Sequence, residues 1–406
     1  MSKETAYYGF LPFIIIYFFF NNAALPEGLL YTTLLTPVFI YWLYKRKRLY
    51  SCLKWGLFLV IPIPFQLLAG PDLQSYTRSL ALLVTAWIFF FTAIEVVRSI
   101  RESIGTVFQK VLAINSLLVI LALLILPFQA VRECMWYSIP ISHDIPGFPR
   151  LDLFAYEPSH YALLLSPVFV YFSLKLLIGQ SRHPLLLMAG IGIPLLLSLS
   201  FGVIGALLLA FLIMVTLYYR RLPTFSRRRL LGMLATGFVV IVIALVIWPG
   251  NPVWMRVENI FSGTDTSARG RLFNSFMFAW DLALQHNILF GVGPGQVKIL
   301  AHDLIINYYQ YTGEFAEVVR IPNSMGEMIA TFGLYGFVLK LFFEIYFFIR
   351  KRIYNNLFSF LLFIFLFIYQ FTGSFTVNAA EIGLWAIIFA ARPEIFEISK
   401  PTELKT

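Results

Sequence analysis

Charge is scarce in this 406-residue chain: Asp, Glu, Lys and Arg make up 13% of it, against 59% hydrophobic residues. With a mean hydropathy of +0.78, such a chain could not stay in solution as a domain of this size, and lipid is the expected solvent. Cysteine is scarcer still. The two present, Cys52 and Cys134, fall on opposite sides of the membrane in the threading below, which excludes a disulfide between them. Clustered Cys or His ligands and an Asp-x-Asp pair are missing, so neither a metal nor another cofactor is expected. Two-residue alternation is missing too, which excludes a barrel. Helices remain as the spanning structure, because lipid offers no water to unpaired backbone groups.

What the chain has in abundance is apolar sequence. Segments 10–20, 117–126, 230–248 and 358–371 form or seed the roughly 20 apolar residues that cross a bilayer as a helix. Short basic clusters separate them, at 45–48, 98 with 101, 220–221, 227–229 and 350–352. The formal charge of +10 is therefore spread as positive-inside anchors rather than as a nucleic-acid surface. Placing every cluster in the cytoplasm threads the chain without contradiction as an all-α polytopic membrane protein of about twelve helices with cytoplasmic termini. The spans are roughly 8–22, 28–44, 54–70, 79–97, 107–127, 159–178, 185–200, 203–219, 231–249, 325–349, 356–372 and 378–392. The first is read as an uncleaved helix, being long, aromatic and preceded only by Lys3 beside Glu4. The run 185–219 is too long for one crossing and basic at both flanks, so it goes out and returns, bending at Ser198, Ser200 and Gly202.

Residues 1–406 thus form one integral membrane domain with two long external loops, 128–158 and 249–324. Both carry Pro, Gly, Trp and charge, and long ordered loops are usually functional. No repeat of two halves is visible, which counts against a transporter built that way.

Of the 31 Lys and Arg residues only eight lie outside in this threading: Arg78, Arg132, Arg150, Arg256, Arg269, Arg271, Lys298 and Arg320. Any one could be merely solvated or paired with a nearby acid. As a group, mostly confined to two loops, they suit an anion, since guanidinium groups match phosphate oxygens with paired hydrogen bonds. Glu157 and His160 open the sixth helix behind Pro158. A carboxylate and an imidazole there could take a proton from a hydroxyl; equally, Glu157 or Ser159 could simply cap the helix.

From Ser267 an amphipathic pattern predicts a helix on or in the external interface, with Leu272, Phe273, Phe276, Met277, Trp280 and Leu284 on its apolar face and Asn274, Asp281 and Gln285 on another. GVGPG from Gly291 predicts a tight turn, since no strand precedes it to make a dinucleotide fingerprint. The tenth helix starts at Asn323 or Ser324 as N-cap, and its Gly333 and Gly336 allow close helix approach. Lys340 and Glu344 are spaced to pair, while Glu381 stands alone.

Together these segments resemble the O-antigen ligase and polymerase superfamily. They are EPSHYA from Glu157, the serine-glycine bend at 198–202, Gly270 and Arg271 followed by Trp280 and GVGPG, and Pro322, Asn323 and Ser324 with Gly333 and Gly336. The resemblance covers roughly 150–336, and no single motif is specific alone. Ligases of this kind carry His before the Asn of the last motif, where this chain has Pro322, so a Wzy-type polymerase is the nearer match.

The resemblance implies a GT-C-like membrane glycosyltransferase that joins undecaprenyl-diphosphate-linked oligosaccharides, donor and acceptor, on the periplasmic face of a bacterial inner membrane. Membrane lipids, a chain-length regulator and no nucleic acid would be its partners. Glu157 and His160 would then supply and orient the base, and Arg150, Arg269, Arg271, Arg320 and Asn323 would hold the diphosphate or substrate. The alternatives are a ligase transferring glycan to lipid A core, a transporter or flippase of lipid-linked sugars, and a non-catalytic scaffold.

Overall fold

A computed structural model of the chain describes residues 3–20, 31–138, 149–181, 183–221, 226–228, 230–232, 252–309 and 319–398. Helix dominates, and among the described residues the only paired strands are two residues long, Trp136–Tyr137 against Arg150–Leu151. Every expected span lies wholly or mainly on helix except the ninth, 231–249, of which all but the first two residues lie outside the described set. Among the described residues six helical segments have the length and apolar composition to cross a membrane, Leu49–Leu68, Leu73–Ser99, Arg101–Ile125, Pro158–Leu177, Phe201–Tyr218 and Ser324–Arg350, the last of them broken at Gly333.

The helix Pro158–Leu177 is the axis of the bundle. Its sequence is apolar all round, and almost every side chain is buried, as expected of a helix with neighbours on every side. Around it pack Ile104–Ile125, Pro184–Leu197, Phe201–Tyr218, Leu357–Tyr369 and Ala379–Ala390. Outer helices show the reverse pattern. Leu117, Ile120, Leu121 and Leu124 follow helical spacing on an exposed face, as do Leu208, Leu209 and Leu212. Water would penalise such faces at about 25 cal/mol per Å², so they belong against lipid.

Two features depart from the sequence reading. The tenth expected span is not one straight rod. Lys340 Nζ donates to Ser324 Oγ at 2.9 Å, although sixteen residues of straight helix would separate them by about 24 Å, beyond any lysine side chain. The Met328 sulfur likewise stands 3.0 Å from where a Cβ on Gly336 would sit. Both pairs are symmetric about residue 332, so arms 324–332 and 334–350 run antiparallel and fold at Gly333, whose backbone is at φ 62, ψ −158. The segment after the helix Ser275–Gln285 closes this fold. Val292 and Gly293 donate to the carbonyls of Ala330 and Thr331 at 2.9 Å each, and Leu334 and Tyr335 donate to those of Ile288 and Leu289 at 3.0 and 2.9 Å. GVGPG is thus more than a turn: it satisfies the backbone groups freed where the helix breaks.

The second departure is an ion pair. Lys340 pairs with Glu381 at 3.0 Å rather than with Glu344, whose Oε2 accepts instead from Gln370 Nε2 at 2.9 Å. Glu344 still acts electrostatically on Lys340 without forming an ion pair with it.

Candidate functional site

Several helices end early. Pro184–Leu197, Leu357–Tyr369 and Ala379–Ala390 have 14, 13 and 12 residues, about 18–21 Å each, short of the ~30 Å hydrocarbon layer. Two of the breaks, the bend after Leu197 and the loop 370–378, border one cleft. Irregular backbone at such depth is tolerated where it lines a cavity or is buried in protein.

The cleft gathers arginines. Arg271 lies in a π-helical stretch, Gly270–Asn274, joined to the helix Ser275–Gln285; Ser275 Oγ closes it onto the Gly270 carbonyl at 2.7 Å. Such insertions re-aim side chains and recur at functional sites. Arg150 comes from the short hairpin and lies over the Tyr137 ring at 4.9 Å. Arg256, on the helix Pro252–Ser262, pairs with Asp265 at 3.2 Å and lies 4.9 Å over Phe201, the first residue after the serine bend. Arg320 lies over Tyr156 and Phe375, at 5.7 and 5.8 Å. The expected bend falls against Arg271, since a methyl group at Gly202 would stand 3.9 Å from an Arg271 Nη1 and 3.7 Å from the Tyr369 ring.

Burial works against charge on Arg150 and on Arg256, so both sit below the usual arginine range, with Arg271 adding to the effect in each. Arg150 Nε is buried with no hydrogen-bond partner among the described residues. Three cations that raise one another's energy, one with an unused donor, make a cradle for an anion.

Beside Arg150, Arg271 and Arg320 is Glu157. Its backbone carbonyl starts the central helix, accepting from His160 and Tyr161 at 3.0 and 3.1 Å. Its side chain caps no amide among the described residues and accepts from the Ser159 hydroxyl instead. The capping alternative therefore does not describe this carboxylate. Burial pushes the Glu157 carboxyl up, but Arg271, the Ser159 hydroxyl, Arg320 and His160 together hold it below the usual carboxylate range. His160 is buried one turn along, at 8% exposure.

The other named residues divide. Asn323 is fully buried; its Oδ1 accepts from Gly326 N at 2.6 Å and its Nδ2 donates to the Arg271 carbonyl at 2.5 Å. Through these two bonds Asn323 caps the fold-back helix and clamps the Arg271 backbone. Arg269 is exposed, unlike the half-buried Arg271. Two residues along a helix turn a side chain by about 200°, which separates it from Arg271.

The apolar stripe expected here is exposed: Phe273, just before the helix Ser275–Gln285, and Met277, Trp280 and Leu284 on it are exposed, while Phe278, Ala279, Leu282 and Ala283 are buried. The small residues of this helix pack on the fold-back helix, and the large apolar ones are left for lipid.

Sequence reasoning passed over Arg256 as a site residue, and also Tyr137, Tyr156 and Asp152. Only the basic count outside the cytoplasm marked Arg256. Asp152, two residues beyond Arg150, is buried with Oδ1 unpartnered among the described residues, and burial pushes its carboxyl up to about 7. Compared with protein-family models the chain matches none, and no curated protein matches it in sequence.

Proposed function

We propose that the chain is a membrane glycosyltransferase of the polymerase kind, joining sugars carried on a polyprenyl diphosphate at the arginine cleft. The observation that carries this reading is the gathering of Arg150, Arg271 and Arg320 around one half-buried carboxylate, Glu157, with Arg256 beside Arg150 and Arg271. A diphosphate is the leaving group that needs such a cradle. Guanidinium groups take up its charge as the bond to sugar breaks, in the way preorganised donors do elsewhere. Twelve spans, periplasmic placement of the cleft and a bacterial inner membrane belong to the same reading.

In the reaction, a hydroxyl oxygen of the acceptor sugar attacks the anomeric carbon of the donor. The bond from that carbon to the diphosphate oxygen breaks, and its electron pair leaves with the polyprenyl diphosphate. The hydroxyl proton passes to Glu157, with His160 beside it to orient or receive. A carboxylate held low by cations is a weak base in the empty site. A bound diphosphate offsets the charge of Arg271 and Arg320, which raises the Glu157 pKa and makes it a better proton acceptor as the substrates arrive. Arg271 would hold the diphosphate, with Arg150, Arg256 and Arg320 around it, and Asn323 would fix the Arg271 backbone.

Purified protein incubated with a synthetic lipid-linked repeat unit is expected to give a ladder of longer lipid-linked products. A single product on lipid A core with no ladder would favour the ligase instead, and no transfer to either acceptor would reject the reading.

A further inference from the structure

A cavity of about 460 Å³ lies between the helices Leu49–Leu68 and Leu73–Ser99, the long arm of the fold-back helix and Ala379–Ala390. None of the four cleft arginines lines it. Its walls are aromatic, including Trp55, Trp87, Phe90, Phe343 and Trp385. One end reaches Thr376, Lys340 and Glu381. The other carries Arg48, Arg98 and Lys351 with a single acid, Glu95.

The charges at that second end do not balance. Arg48 pairs with Glu95 at 3.4 Å, and Arg98 hydrogen-bonds the same carboxylate oxygen. Lys351 has no ion pair among the described residues; burial, Arg98 and Arg350 all push its ammonium pKa down. Three cations and one carboxylate leave the mouth of an apolar cavity with a surplus of positive charge.

We propose that this cavity holds an anionic phospholipid, its phosphate on Arg48, Arg98 and Lys351 and an acyl chain along the aromatic wall. Basic pockets between membrane helices take anionic head groups in this way. From Gly336 to Lys351, both lining residues, the helix runs about 22 Å, longer than half of a ~30 Å hydrocarbon layer, so a full chain fits end on. Left empty, a cavity of this size forfeits the contacts its walls would otherwise make. A polyprenyl donor would sit the other way round, with its diphosphate at the far end, where Glu381 neutralises Lys340. The head-group cations therefore select a different lipid, and the inference does not depend on the glycosyltransferase reading.

Native mass spectrometry of the full-length protein, incubated with phosphatidylglycerol or with phosphatidylcholine, tests it. Phosphatidylglycerol is expected to be retained at one per protein in preference to phosphatidylcholine. Lys351→Gln, which breaks no ion pair, should weaken that retention about fivefold, and the triple change of Arg48, Arg98 and Lys351 to Gln should abolish the preference. Leu339→Trp, which narrows the cavity, should reduce retention of both lipids. Equal retention of the two lipids by the unaltered protein, undiminished phosphatidylglycerol binding in the triple variant, or displacement of phosphatidylglycerol by undecaprenyl phosphate at equal concentration would overturn the proposal.

Discussion

Replacing Gly333 with alanine tests the fold-back on which the arginine cleft depends. At φ 62, ψ −158 this residue occupies backbone space that is almost exclusive to glycine, and a side chain there costs about 1–3 kcal/mol in conformation alone. Contact adds to the strain. A Cβ would stand 2.5 Å from the Leu289 carbonyl carbon, 2.6 Å from its oxygen and 2.7 Å from Gly291 N. All three are backbone atoms of the paired segment, so no side chain can swing aside. Relief requires parting the segments, which exposes hydrogen bonds worth about 1 kcal/mol each. Gly333→Ala should therefore destabilise the protein by more than about 3 kcal/mol.

Gly263→Ala is the matched control, because its φ is also positive, at 76, but open space surrounds it. It should cost about 1 kcal/mol. Thermal unfolding in detergent compares the two. A second measurement uses the geometry directly: cysteines placed at Ser324 and Lys340 should be joined by a short cross-linker, whereas in a straight helix they would be about 24 Å apart. Equal stability of the two alanine variants together with no cross-link would refute the fold-back.

Three further outcomes are expected. Arg271→Lys should insert normally yet lose about a hundredfold in polymer formation, because a lysine supplies charge without the planar two-point grip; near-normal ladders would reduce Arg271 to an anchor. Glu157→Gln should be stably inserted and lose about a hundred- to ten-thousandfold in rate, with His160→Ala less affected if its role is to orient; long chains from both would move the search for the base to Glu327. For Asp152, burial raises the folded-state pKa to about 7 from 3.8. The folded protein then binds the proton more tightly than the unfolded chain between those values, so this contribution is intact at low pH and lost as pH rises toward 7. The full shift sets an upper bound of about 4 kcal/mol. Asp152→Asn should flatten the fall in Tm between pH 5 and pH 8, and an unchanged pH profile would place this titration elsewhere.

The apolar segments were readable in the sequence because lipid imposes a length and a composition on every helix, and the bend at Ser198 was readable because 185–219 exceeds one crossing. Glu157, His160 and Arg271 were readable as unusual charges in apolar context. The fold at Gly333 was not, since 324–350 is long and apolar enough to pass as one span, and the break is stabilised by a segment some forty residues earlier. Lys340 was assigned its i+4 neighbour by helical spacing, a rule that assumes nearby helices offer nothing better. The exposed apolar stripe of Ser275–Gln285 was readable, whereas the small residues of its opposite face were not. Hydrophobic periodicity marks the face that avoids water, and in a membrane protein that face can meet lipid while Ala279 and Ala283 meet protein.

The fold-back also sets where Arg271 stands along the bundle. Because arm 324–332 runs back along 334–350, Ser324 is level with Lys340, seven residues or about 10 Å along the long arm from Gly333. Asn323 precedes it and holds the Arg271 carbonyl, so the arginine is carried to that level with it. The neighbouring helices stop to match: Ser324 N donates to the Gly373 carbonyl and Met325 N to that of Gln370, within the loop that follows the short helix Leu357–Tyr369. A single straight helix would have lifted Asn323 to the bundle's end and left those carbonyls buried without donors, a cost of about 1–3 kcal/mol each. The short helices, the broken helix and the half-buried Arg271 are thus one arrangement, in which the backbone groups freed at each break find partners in the others and fix the arginine's backbone between them.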